Sequence, residues 1–219
     1  MNANVLTLIC LIVGLCSAWK SGSIFLKTNL SPPHRPTIST KPLPIATFLL
    51  TLAIALPTTL QFFFPEVLVA LRRDYMRFAS GEWWRLVTPL FVQDAGIAGS
   101  VFNLVTLVLV GGVAERLWGR WRMLVIFFMG GIAGEVVAFS WQPLGAGNSV
   151  GNFSLAASIA VACLAQQPSK VVQIAALLAL GADVLLVFLK DIHGAAAMAG
   201  ALLAISLLHL TIEPLRKSS

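Results

Sequence analysis

Seven runs of mostly Leu, Ala, Val and Ile divide the chain, at about residues 4–19, 44–64, 97–113, 121–140, 149–166, 169–189 and 192–212. Each approaches the roughly 20 apolar residues that cross a hydrocarbon core about 30 Å thick. None alternates with period two, as the strands of a membrane barrel would. Backbone groups in lipid must bond within their own helix unless a barrel closes, so the pattern predicts an all-α membrane bundle. The first run is the shortest, and Lys20 follows it where a leader would carry its basic residue in front. It reads as an extra retained span. The expected organisation is therefore an extra N-terminal span with a polar cytoplasmic linker over residues 1–43, a six-helix core over 44–212, and a short cytoplasmic tail over 213–219.

Composition strengthens this reading. Hydrophobic residues make up 58% and charged residues 11% of the chain, against about 25% charged in an ordinary soluble domain. A net charge of +6 would point to nucleic acid in a soluble protein, but these cations flank apolar runs. Orienting the chain in the bilayer is the simpler role, and no nucleic acid is implied. The segment from Lys20 to Leu43, rich in Ser, Thr and Pro, reads as a linker. If it is cytoplasmic, alternation puts ten of the fifteen Lys and Arg residues on that side. The prediction is N-terminus out and C-terminus in, with residues 65–96 as a long outer loop. In that loop Arg72, Arg73, Asp74, Arg77 and Glu82 interleave with Phe78, Trp83 and Trp84, a mixture suited to the headgroup level. Cys10, Cys16 and Cys163 fall in apolar segments without metal-ligand spacing and read as small hydrophobes.

Polar side chains inside spans are functional candidates because they are costly there. The richest group is Gly145-Ala-Gly-Asn-Ser-Val-Gly-Asn-Phe-Ser154, at the outer start of a span. Gly147 and Gly151 also have the spacing of a small-residue helix contact, so packing alone is a competing explanation. His193 begins the last span at the same predicted depth as Ser149. A serine hydroxyl needs a base within hydrogen-bond reach, and imidazole titrates near neutral pH and can return the proton to a leaving amine. Phe153, four residues after Ser149, lies on the same helical face and can pack on the imidazole. No carboxylate falls at an obvious orienting position, so a Ser-His dyad fits better than a triad. The Ser149 backbone N–H, free at a helix start, and the Asn103 side chain are candidate oxyanion donors. Interhelical hydrogen bonding is the other role open to Asn103.

Four stretches in this order resemble the rhomboid family of intramembrane serine proteases: Gly81–Phe91, Asn103 with Gly111–Gly119, Gly147–Leu155, and His193 with Gly200. The resemblance spans about residues 44–212 and implies the six-helix rhomboid core. It places the nucleophile motif on Gly147, Asn148 and Ser149, its supporting aromatic on Phe153, the histidine on His193, the following glycine on Gly200 and the oxyanion asparagine on Asn103. Trp84 and Arg85 take the outer-loop Trp-Arg pair, and Glu115 and Gly119 look structural. Three positions depart from the pattern. Gly99 stands where the second helix commonly has an oxyanion histidine, Ala196 replaces a glycine after the histidine, and Ser154 replaces one after the nucleophile.

The reading is an intramembrane serine endopeptidase that cuts transmembrane protein substrates near the outer boundary of the bilayer, with no cofactor and no metal. The resemblance implies lateral substrate entry beside the second or fifth core helix. A bacterial inner membrane is the expected location, because no Arg-rich transit segment opens the chain. Two other classes stand beside it. One is an inactive rhomboid-like protein that binds membrane clients, for which Gly99 speaks. The other is a small transporter using Glu135 and Asp183, acids within spans that fall on no rhomboid motif and whose simpler explanation is interhelical hydrogen bonding.

Overall fold

A computed structural model describes residues 3–29, 43–166 and 169–216. Among them are α1 (Ala3–Asn29), α2 (Ile45–Phe63), α7 (Arg120–Trp141), α8 (Ser149–Ala165), α9 (Lys170–Phe188) and α10 (Ile192–Arg216). A further helix runs as α5 (Gly96–Thr106), through a π-helical turn at Leu107–Gly111, into α6 (Gly112–Trp118). Six of these helices are long and apolar enough to cross a membrane, and the seventh, α8, is a shorter apolar helix. The chain is an integral, multi-pass, all-α membrane protein.

α8 is the hub. Nearly every side chain from Val150 to Cys163 is buried, because α10, α7, α1 and α9 all pack against it. A helix apolar all round belongs inside the bundle, and small residues let its neighbours approach. Ser154 donates to the Ile126 carbonyl (2.8 Å). A Cβ on Gly130 of α7 or Gly200 of α10 would collide with Ser154. Those two glycines make room for a serine where the resemblance expects glycine.

A carboxylate supplied from across the fold organises the start of α2. α2 begins after Pro44 with no side-chain cap of its own. Buried Glu115 of α6 supplies one from across the fold, accepting from the amides of Ala46 (3.1 Å) and Thr47 (2.8 Å) and from the Thr47 hydroxyl (2.8 Å). A carboxylate at a helix N-terminus both satisfies orphan donors and complements the dipole. Gly119, at φ +80, makes the sharp turn from α6 into α7 that holds Glu115 there.

Between α2 and α5 the chain forms two short helices, α3 (Glu66–Leu71) and α4 (Tyr75–Ala79), and two 3₁₀ turns at Trp83–Leu86 and Thr88–Phe91. The two-residue strand β1 (Arg73–Asp74) pairs antiparallel with β2 (Leu144–Gly145), which leads into α8. Arg85 is buried and holds this region together, bonding the carbonyls of Val69 (3.2 Å) and Arg72 (2.6 Å) and pairing with Glu82 (2.6 Å). Trp83 and Trp84 point outward beside it.

Three sequence expectations are corrected. The polar linker does not start at Lys20, because α1 continues to Asn29. Ser21, Gly22 and Leu26 are buried against the bundle, which keeps that stretch helical despite Lys20; the rest of the linker, residues 30–42, lies outside the described residues. Glu135 does not bond a neighbouring span. Its partner is Arg73 of the connecting region, at 2.6 Å, with both side chains almost fully buried. Asp183 bonds no neighbour either: both its carboxyl oxygens are buried without a hydrogen-bond partner among the described residues.

Candidate active site

The site forms where α8 and α10 begin, at the same end of the bundle. Ser149 is the first residue of α8, so its amide has no acceptor within the helix and its hydroxyl projects from the helix end. His193 follows Asp191 and Ile192 at the start of α10. The Ser149 Oγ lies 2.8 Å from His193 Nε2. The Phe153 ring, fully buried one turn below Ser149, packs against the imidazole with centroids 5.0 Å apart and planes tilted by 58°.

A third group completes this line, and it corrects the expectation of a dyad without a carboxylate. Asp191 Oδ1 lies 2.5 Å from His193 Nδ1 and also accepts the His193 backbone N–H at 2.9 Å. One oxygen thus caps α10 and fixes the ring. Burial pushes the Asp191 carboxyl up, but the hydrogen bonds and positive charge of His193 outweigh it and hold the group below the usual carboxylate range. The signal was present in the sequence: an Asp immediately before an apolar helical run is an N-cap, and a cap faces the residues two and three further on.

Asn103 enters the site from α5. Its Nδ2 donates to Gln93 Oε1 (2.8 Å), and Gln93 Nε2 donates to Asn148 Oδ1 (2.6 Å). Asn152 donates to the Asn103 carbonyl (3.0 Å), while Gln61 holds the Gln93 backbone through its N–H (3.0 Å) and its carbonyl (2.5 Å). Gln93 therefore sets the height of Asn103 against α8. Sequence reasoning missed it, because a glutamine in an irregular loop carries no periodic or spacing signal.

Gly147 lies between the two halves of the site. A Cβ built on it would stand 3.3 Å from Ser149 Oγ, 3.4 Å from Gln93 Oε1 and 3.7 Å from Asn103 Nδ2. The space over Gly147 is therefore within reach of the hydroxyl and of the asparagine amide together. It belongs to a cavity of about 440 Å³ that Asn103, Gly147, Ser149, His193 and Gly99 line, with side chains of α1 on one flank. Gly99 presents no donor there. Asn148 is fully buried behind the cavity, and Gly200 and Ala196 sit at the α10 crossing below it. Trp84 and Arg85 lie outside the cavity lining.

The fold and this pocket define a class: a multi-pass helical membrane protein that holds a serine, an imidazole and a carboxylate in one hydrogen-bonded line at the end of its central helix. The Rhomboid domain model matches residues 80–213. The chain belongs to the rhomboid family. It is similar to "Rhomboid protease GluP" of Bacillus subtilis (strain 168), with 42% identity over 79 residues, 36% of this chain and 15% of that protein. "Putative rhomboid protease YdcA" of the same organism is 35% identical over 106 residues, 46% of this chain and 52% of that protein. "Inactive rhomboid-related protein 2" of Caenorhabditis elegans is 34% identical over 79 residues, 35% of this chain and 22% of that protein. The chain thus spans about half or less of these relatives, and the family holds both proteases and inactive members.

Proposed function

We propose that this chain is an intramembrane serine endopeptidase that hydrolyses peptide bonds of transmembrane proteins near the membrane boundary, with residues 44–212 as its catalytic core. The observation that carries the reading is the 2.8 Å contact between Ser149 Oγ and His193 Nε2, with Asp191 behind the ring. With Nδ1 donating to Asp191, the ring is held in the tautomer whose Nε2 accepts the serine proton. Ser149 Oγ attacks the scissile carbonyl as His193 takes its proton, and the oxyanion forms over Gly147. Asn103 Nδ2 and the Ser149 backbone N–H donate to it there. His193 then protonates the leaving amine. Water deprotonated by the same ring hydrolyses the acyl-enzyme and regenerates Ser149.

Substrates approach laterally, beside the second core helix (α5–α6) or the fifth (α9). The site faces the outer side of a bacterial inner membrane, with the N-terminus out. The inactive client-binding alternative draws on Gly99, which removes one donor, but it gives no role to an intact Ser-His-Asp line. The transporter alternative loses Glu135, whose partner Arg73 consumes its charge. The test is cleavage of a model single-pass substrate in proteoliposomes. Wild type cuts, while Ser149→Ala and His193→Ala do not and keep the wild-type unfolding temperature. Equal cleavage by Ser149→Ala overturns the proposal.

A further inference from the structure

At the end of the bundle away from the catalytic site, α2 and α7 leave an open groove of about 420 Å³ between them. α7 starts there at Arg120 and reaches the site end at Trp141, beside Gln142 of the active-site cavity. Ala46, Leu49 and Ala53, three and four residues apart, share one face of α2 and form one wall; Leu124 of α7 forms the other. The groove follows α2 from Ile45 to Ala53, about 12 Å at 1.5 Å per residue. That is close to the hydrocarbon depth of one leaflet, about 15 Å. A wall so apolar and of this length suits one acyl chain.

The mouth of the groove is cationic. Arg120 and Trp121 form its rim, and Trp121 is 80% exposed, as an anchor at headgroup level would be. The Arg120 side chain is 57% exposed. Glu115 stands 3.7 Å from its Nε, beyond hydrogen-bond range, and is already committed to the amides of Ala46 and Thr47. Arg116 adds a second exposed guanidinium beside the start of α2: a Cβ on Gly112 would stand 3.5 Å from its Nη1 and 3.9 Å from Pro44. Glu115 is the one carboxylate paired with either arginine among the described residues. Residues 30–42, which precede α2 in the chain, carry His34, Arg35 and Lys41 and no Asp or Glu, so they bring no countercharge. Charge complementarity therefore calls for an anion from outside the chain, and the apolar walls call for one with a hydrocarbon tail.

We propose that this groove binds one anionic phospholipid, with an acyl chain between α2 and Leu124 and the phosphate on the guanidiniums of Arg120 and Arg116. A guanidinium fork matches a phosphate bidentately. In the orientation given above, this end faces the cytoplasm, where cationic pockets between helices take up anionic headgroups. A zwitterionic lipid offers the same chain and phosphate but sets its own ammonium against the two arginines, so the site discriminates against it. The lipid bridges α2 and α7 where their own contact is slight. The inference is independent of the proteolytic reading.

The test places a quencher in the groove. The full chain is reconstituted in phosphatidylcholine vesicles containing a minor fraction of either phosphatidylglycerol or phosphatidylcholine brominated near the headgroup, at the same mole fraction. Bromine quenches tryptophan on contact, and subtracting the signal of Trp121→Phe isolates Trp121. Brominated phosphatidylglycerol is expected to quench Trp121 about five- to thirtyfold more effectively than brominated phosphatidylcholine, the worth of one to two cations at an anionic headgroup. Arg120→Gln is expected to cut that preference about fivefold. Ala53→Leu, which fills the groove and leaves every charge in place, is expected to cut it at least as far. Arg122→Gln, exposed but outside the groove lining, is expected to change it less than twofold. All four substitutions lie at exposed positions, and the unfolding temperature in detergent checks that each variant keeps the fold. Equal quenching by the two lipids overturns the inference, as does an unquenched Trp121, which would mean that a protein segment covers the groove. A loss for Arg122→Gln as large as for Arg120→Gln, or a preference undiminished by Ala53→Leu, reduces the effect to diffuse attraction and overturns it as well.

Discussion

Asp191→Asn keeps the shape of the site and removes one charge. Asn caps a helix about as well as Asp, so the change is expected to cost under about 1 kcal/mol of stability. The effect on chemistry is larger. In the wild-type protein one carboxylate oxygen holds His193 Nδ1 at 2.5 Å. A charged acceptor is worth about 1.5–3 kcal/mol and a neutral one about 0.5–1, so an amide oxygen at Nδ1 forfeits about 1–2 kcal/mol of imidazolium stabilisation. That corresponds to a fall in kcat of about 5- to 30-fold. If the amide turns its NH₂ toward Nδ1, the ring proton moves to Nε2, which then cannot accept from Ser149. The loss then approaches the roughly 10⁴-fold of the same substitution in the Ser-His-Asp template.

The assay is single-substrate kinetics in proteoliposomes, expecting kcat reduced at least about fivefold with KM little changed. A kcat within twofold of wild type refutes an orienting role for Asp191. The carboxyl also has a signature in acid. Its folded value is depressed, so its contribution to stability is fully present above the unfolded value, about 3.9, and is lost as pH falls through the folded one. Asp191→Asn is expected to flatten the fall in unfolding temperature below about pH 4.

Further predictions concern the supports of the site. Asn103→Ala is expected to lower kcat by about 10²- to 10³-fold, the range for losing one oxyanion donor, with substrate binding unchanged in a pull-down; a kcat near wild type removes Asn103 from the oxyanion site. Glu135→Leu leaves Arg73 buried and unpaired and is expected to cost about 3–5 kcal/mol, seen as a lower unfolding temperature in detergent. Adding Arg73→Met is expected to restore most of that loss, and a double variant no better than the single one contradicts the pairing argument. Gly200→Ala drives a methyl into Ser154 and is expected to cost about 1–3 kcal/mol by the same measurement.

Much of the fold was legible because lipid imposes one rule on every segment. Five of the seven apolar runs matched their helices to within about four residues at both ends. The largest misreadings came where tertiary contact overrode local polarity. α5–α6 continues past Gly112 through Glu115, whose charge is satisfied by the start of α2, a partner some seventy residues away in sequence. α1 continues through Lys20 because Gly22 and Leu26 pack onto the core. In the site, Ser149, His193 and Phe153 could be aligned by depth and by helical spacing. Asp191 was overlooked although its capping position was readable. Gln93 and the partner of Glu135 were not readable, since both depend on how an irregular connection folds back against α8 and α7. Asp183 was visible as a costly residue, but only the packing around it reveals that it has no hydrogen-bond partner among the described residues.

The central claim is that Ser149 is a nucleophile activated by His193. It is tested most directly by treating the reconstituted protein with a fluorophosphonate and locating the adduct by peptide mass spectrometry. The account predicts one phosphonyl group, on Ser149, formed in wild type and absent from His193→Ala. An adduct carried elsewhere, or formed as fast without the imidazole, contradicts it.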